Sequence, residues 1–173
     1  EKFRRDIVKR DYPNDDAVAK IKIIEKLGLT FSVNNIIGFP DETRELAFDT
    51  IELNRRFNSD NTSCSILVPF HGTELHSYAV EKGYLDPNVI CSVSNSGESL
   101  LNMPQWDKKD MTRLRDVFAM YIKFPKDRWP EIKRAETDDV LRSKLREEFV
   151  KTYWSDSAAK IEDDIAEAAK GLF

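Results

Sequence analysis

Cysteine is nearly absent from this sequence: Cys64 and Cys91 are the two found in 173 residues. Far apart and without paired spacing, they are expected to form neither a disulfide framework nor a four-ligand metal site. That scarcity fits a reducing, cytoplasmic setting. Long apolar runs are missing too. Nothing approaches the ~20 residues needed to cross a bilayer, and no signal-peptide pattern opens the chain, so no membrane association is expected. A surplus of positive charge is also lacking. The 27 Lys and Arg are outnumbered by 31 Asp and Glu, for a net charge of −4, which speaks against a nucleic-acid surface. The early basic residues Lys2, Arg4, Arg5, Lys9 and Arg10 are interleaved with acids and read as a solvated helix face. Neither internal repeats nor low-complexity tracts occur. An initiating Met is absent as well, and the opening Glu1-Lys2-Phe3 reads as part of a longer protein.

What is present organises itself around residues 34–43, Asn-Asn-Ile-Ile-Gly-Phe-Pro-Asp-Glu-Thr. A strand-like run from Phe31 to Ile37 stops at Gly38 and Pro40, and an amphipathic helical pattern runs from Asp41 and Glu42 to about Phe57. Asp41 is the expected N-cap. A second strand-like run, Asn61 to Val68, follows. Strand, turn, helix, strand is a βαβ unit, and the helix is long enough for a parallel crossover. In the first strand Phe31, Val33 and Ile37 alternate with Ser32, Asn34 and Ile36. In the second Cys64, Ile66 and Val68 alternate with Ser63, Ser65 and Leu67. One face should meet covering helices, and the mixed face should look into the interior of a barrel or half-barrel.

The flanking segments read as helices. Lys2 to Arg10 comes first, broken by Pro13. Next, a segment capped by Asn14 or Asp15 carries Ala17, Ile21 and Ile24 toward a core and ends at Gly28. Beyond the second strand, Thr73 caps a short helix ended by Gly83. An irregular connector with the length of a functional or mobile loop follows. From Lys108 the stripe Met111, Leu114, Phe118, Tyr121 predicts a core-packed helix. Breaks fall at Phe124-Pro125 and Trp129-Pro130. Leu141, Leu145, Phe149 and Tyr153 line another helix, and Ala158, Ile161, Ile165, Ala168 and Leu172 a last one. His71 reads as a rim or surface residue and His76 as lying on an exposed helix face. The aromatics Phe118, Tyr121, Trp129, Tyr153 and Trp154 read as packing residues. The fold expected is therefore α/β: a partial TIM-type (β/α) barrel fragment with about two parallel strands, followed by a mostly α-helical C-terminal extension. Its parts are 1–83, 84–107 and 108–173. Two strands alone make an unstable sheet, so self-association through exposed strand edges is expected.

These residues resemble a known family. Asn35 to Thr43 is similar to the "IIGFPGET" signature at the fifth strand of radical S-adenosylmethionine (SAM) enzymes. Val68 to Leu75 resembles their "P-x-x-GT-x-L" element after the sixth strand, and Ala79 to Leu85 resembles the "A-x-x-x-G-Y/L" continuation. Ile7 to Arg10 is similar to a segment after the fourth strand. Tyr121 to Pro125 and Trp129 to Ile132, with Ala135-Glu136, resemble members that carry a cobalamin-binding domain. The resemblance implies that residues 1–83 are the fifth and sixth β/α units of a radical SAM core. It further implies that Ile36 contacts the adenine of SAM, with Asn34 and Gly38 in the glycine positions of a G-x-I-x-G-x-x-E pattern and Asp41 in its Glu position. Backbone groups of Pro69, Phe70 and His71 would meet the adenine edge, and Arg10 the methionyl carboxylate. The parent's [4Fe–4S] cluster and its reductive cleavage of SAM require a C-x-x-x-C-x-x-C loop that these residues lack. The chain alone is therefore expected to be inactive, with no catalytic residue of its own, and its small-molecule substrate is not specified. A helical protein-interaction module on a small β/α scaffold, and a barrel fragment of an unrelated enzyme, are the other readings.

Overall fold

The computed structural model describes residues 1–92 and 97–154, without the side chain of Trp154. In chain order the elements are α1 (Lys2–Asp6), α2 (Asn14–Lys26), β1 (Ser32–Ile37), α3 (Arg44–Asn54), β2 (Asn61–Ile66), α4 (Glu74–Glu81), α5 (Lys108–Lys123), α6 (Trp129–Ala135) and α7 (Asp139–Phe149). Two short turns of tighter and wider pitch, Lys126–Arg128 and Val150–Trp154, flank the last two helices. The fold is mixed α/β and mostly helical, as expected. The strands are parallel, joined through α3, and in register from Ser32 opposite Asn61 to Ile37 opposite Ile66. The stripe Ala158 to Leu172 and the Ser94–Ser96 part of the connector lie outside the described residues. Among the described residues, no helix is long and apolar enough to cross a membrane.

Period-two alternation sorts the sheet into two faces. Ser32, Asn34 and Ile36 on β1 and Asn61, Ser63 and Ser65 on β2 are exposed. Asn35, Ile37, Thr62 and Ile66 point the other way and are buried. The helix α5 packs on β2 and against α3, so a single helical layer covers one face of the sheet. Its stripe of Met111, Leu114, Phe118 and Tyr121 is buried as expected and joins Ile37, Ile51, Ile66, Ile132 and Leu145 in one core. Helix cover on one face satisfies the condition under which a two-stranded sheet persists.

Polar groups fix how these layers meet. Buried Asn35 and Asn54 exchange hydrogen bonds, Nδ2 of Asn54 to Oδ1 of Asn35 at 2.9 Å and the reverse at 3.3 Å. Asn35 also donates to the Ser63 carbonyl at 3.1 Å, so one amide ties β1 to both β2 and α3. Arg44 at the start of α3 donates to Asp110 at 2.9 Å and to Glu136 at 2.6 Å. Tyr121 and Lys133 donate to the same buried Glu136 at 2.7 and 2.8 Å. At the carboxyl end of α5, Arg55 donates to the carbonyls of Tyr121, Ile122 and Phe124 at 2.7–2.8 Å. Its charge faces the negative end of the helix dipole. The connector is far from structureless: Leu85, Cys91, Leu101, Met103 and Trp106 are buried in the same core.

Three local expectations are corrected. The helix α3 begins at Arg44 and is capped by Thr43, whose side chain accepts from the Leu46 amide, not by Asp41. The helix α2 has Pro13 at its N-cap and no side-chain cap, so neither Asn14 nor Asp15 serves there. Its apolar stripe is only partly used: Val18 is buried and Ala17, Ile21 and Ile24 are half-buried, while Leu27 is more than half exposed. The Thr73 cap of α4 is observed, accepting from the His76 amide at 3.2 Å.

Candidate functional site

The carboxyl ends of the strands, where parallel β/α units carry their ligand loops, are built from two turns. After β1 the backbone reverses at Gly38, with φ of +83°, and again at Asp41, with φ of +63°. Gly38 is buried beneath α5, and a Cβ there would lie 3.3 Å from Met111 Sδ and 3.4 Å from Ile66 Cγ2. The Leu67 amide donates to the Ile37 carbonyl at 2.8 Å, which carries the ladder one step past the strands and holds the two loops side by side.

The two acids of the first turn have separate tasks. Glu42 is 3% exposed. Its Oε2 accepts the Gly38 amide at 2.5 Å and the Phe39 amide at 2.9 Å, so the carboxyl clamps the turn from within. Burial pushes its pKa up to about 7, outweighing the two amide donors that favour the charged form. The left-handed residue Asp41 turns outward to accept from Tyr78 at 2.5 Å and Tyr84 at 2.7 Å, with Lys82 at 3.8 Å. Partial burial opposes its ionisation, but the two hydroxyls and Lys82 prevail and hold the carboxyl below its usual range. Asp41 therefore moors the end of α4 to the β1 turn. The clamping role of Glu42 and the Tyr78–Tyr84 pair were not read from the sequence. The adjacent acids differ in role only because φ changes sign between them and the strand.

The residues singled out for SAM occupy distinct places. Asn34 and Ile36 project from the uncovered face of the sheet, where Ile36 is 48% exposed. Asn34 accepts from the Ser63 hydroxyl at 2.7 Å, and Ser65 lies opposite Ile36 in the register. Gly38 and Pro69 are buried in the two turns, while Phe70 and His71 stand exposed beyond β2. Arg10 lies in the exposed segment between α1 and α2. Among the described residues, no hydrogen bond or ion pair joins its side chain to the others.

The cysteines are separated by environment. Cys64 sits half-buried on the covered side of β2, where burial and the Glu42 carboxylate push its thiol pKa well up. Cys91, in the connector, is 8% exposed, and burial raises its thiol also. Its neighbours are His71 and His76, with one potential ligand atom from each of the three residues within 4.8 Å of the others. This corrects the expectation for His76. Its ring lies not on an open helix face but against His71, with centroids 4.4 Å apart.

No protein-family model matches the chain. Over 69 residues, 40% of the chain, it is 36% identical to an uncharacterised methyltransferase of Pyrococcus horikoshii. The chain spans 15% of the length of that relative.

Proposed function

We propose that the chain is the C-terminal part of a radical SAM enzyme core and that its open sheet face forms part of the wall against which the adenine of SAM lies. One observation carries this reading. The uncovered face presents a lone apolar side chain, Ile36, among small polar groups from Asn34, Ser63 and Ser65. It is bordered by the loops at Gly38–Asp41 and Pro69–His71. A flat patch with one aliphatic platform and adjacent amide and hydroxyl groups suits a planar heterocycle with hydrogen-bonding edges. The methyltransferase name of the partial relative is compatible with use of SAM by the parent protein.

The described residues fit the adenine and do not fit an iron–sulfur cluster. Such a cluster needs several convergent thiolates. Cys64 is turned into the covered side of the sheet, and Cys91 stands with two histidines. No redox step is therefore assigned to this chain. Cobalamin forms no part of the proposal. Tyr121, Ile122, Phe124 and Ile132, in the segments that resemble cobalamin-dependent proteins, are buried in the core, and packing accounts for them.

The test is SAM binding by the full-length gene product carrying Ile36→Asp, measured by calorimetry beside its iron content and far-ultraviolet circular dichroism. Ile36 is half exposed, so the fold and iron content should be unchanged. Loss of the apolar platform should weaken SAM at least tenfold, about 1.4 kcal/mol. Unchanged affinity would remove Ile36 from the site and the reading with it.

A further inference from the structure

We infer that His71, His76 and Cys91 form a zinc site that pins the connector to the loop after β2, an assignment independent of the SAM reading. The three residues come from three segments. His71 lies in the turn after β2, His76 in α4, and Cys91 in the connector beyond Gly83. Their ligand atoms already lie within 4.8 Å of one another. A tetrahedral zinc ion, about 2.0–2.1 Å from nitrogen and about 2.3 Å from sulfur, places its ligand atoms about 3.3–3.6 Å apart. Side-chain rotations that shift the ligand atoms by about an ångström close that gap.

Two further observations point at a ligand. His71 Nε2 lies 3.1 Å from the Val89 carbonyl, which can only accept, so this nitrogen is the donor. That bond leaves Nδ1 with a free lone pair, and a second ring nitrogen tied to a backbone carbonyl is the usual support of a zinc-bound histidine. His76 Nε2 is shielded from solvent and, among the described residues, has no hydrogen-bond partner. An apolar role does not explain a buried imidazole nitrogen without a partner. A cation between it, His71 and the Cys91 sulfur gives that nitrogen a partner and replaces the long 3.8 Å contact that the Cys91 thiol donates to the Val89 carbonyl. Two imidazoles and one thiolate suit zinc, with water completing the fourth position. Binding displaces the thiol proton of Cys91 to solvent, so affinity must fall as pH is lowered.

The test titrates the metal-free chain under reducing conditions with Co(II), then with Zn(II) in competition with a chromophoric chelator. One equivalent of Co(II) should give a thiolate-to-cobalt charge-transfer band, and Zn(II) should displace it with sub-micromolar affinity. Cys91→Ser should abolish the band. His76→Ala and His71→Ala should each weaken Zn(II) at least tenfold, with circular dichroism verifying the fold. Cys64→Ser should leave both signals intact. Absence of stoichiometric binding overturns the site, as does a band that survives Cys91→Ser or is lost with Cys64→Ser in a folded chain.

Discussion

Glu42 makes the pH dependence of stability a direct probe of the β1 turn. Its carboxyl has a pKa of about 7 in the folded chain against an ordinary 4.5. Between these values the native state holds a proton that the unfolded state has released. Stability rises with pH only where the unfolded state binds more protons, so here it must fall as pH rises. The loss begins near 4.5 and is complete above about 7. At about 1.4 kcal/mol per pH unit, an interval of that width is worth ~3 kcal/mol, a large share of the ~5–15 kcal/mol that stabilises a typical domain.

Glu42→Gln isolates this effect. Both amides meet one oxygen, Oε2, and a glutamine carbonyl can take that place without titrating. Urea unfolding of both proteins at closely spaced pH values from 4 to 8 supplies the measurement, since every other titrating group is common to the pair. The variant's advantage over the wild type should grow by ~3 kcal/mol across the series. A difference that stays constant with pH refutes the burial argument. An advantage of the variant that shrinks as pH rises would mean that the Gly38 and Phe39 amides, and not desolvation, govern the carboxyl.

Other outcomes follow from the same geometry. Gly38→Ala places an L side chain at φ of +83° against Met111 and Ile66, and should cost about 2 kcal/mol in urea unfolding from the left-handed backbone and the crowding together. Arg55→Ala leaves three carbonyls at the end of α5 without their cation and should cost about 2–3 kcal/mol, with Arg55→Lys recovering only part because an ammonium lacks the guanidinium fork. Each strand has one neighbour in the described sheet, so the isolated chain should self-associate through its open edges and face. Sedimentation velocity should show dimers or larger species that Ile36→Lys diminishes, and a strict monomer at high concentration refutes this.

The fold was legible wherever one residue type served one periodicity. Ser32, Asn34 and Ile36 alternate with Val33, Asn35 and Ile37, and burial follows that alternation, although the polar Asn35 lies on the covered side. Its place is intelligible only once Asn54 arrives from α3 to satisfy it. The α5 stripe could be read because Met111, Leu114, Phe118 and Tyr121 sit one or two helical turns apart and face a single layer. The start of α3 could not, because either Asp41 or Thr43 makes a good cap. The choice rests on a left-handed residue that composition does not announce. The His71–His76–Cys91 group was hidden for a different reason. Metal motifs are recognised by short spacing, whereas Cys91 reaches the histidines through an irregular connector that folds back on the core.

The two faces of the sheet differ in what they contribute to stability, and recognition is proposed for the open one. On the covered face, Ile37 and Ile66 complete the core, and Asn35 fixes the register through both Ser63 and Asn54. A one-residue slip would turn Ile37 outward and strand a buried amide, so this face specifies the fold. The open face has no comparable packing duty. Replacing its serines should scarcely change stability, because exposed substitutions usually matter by only about 0.5 kcal/mol. Ile36 is the exception in kind: a β-branched apolar residue, 48% exposed, placed where hydration penalises it and the described core gains little from it. Together with Phe70, 46% exposed at the rim, it is the feature on which the proposal of an outside cover for this face rests. The Ile36→Asp and Ile36→Lys variants ask whether that cover is the adenine of SAM or a second copy of the chain.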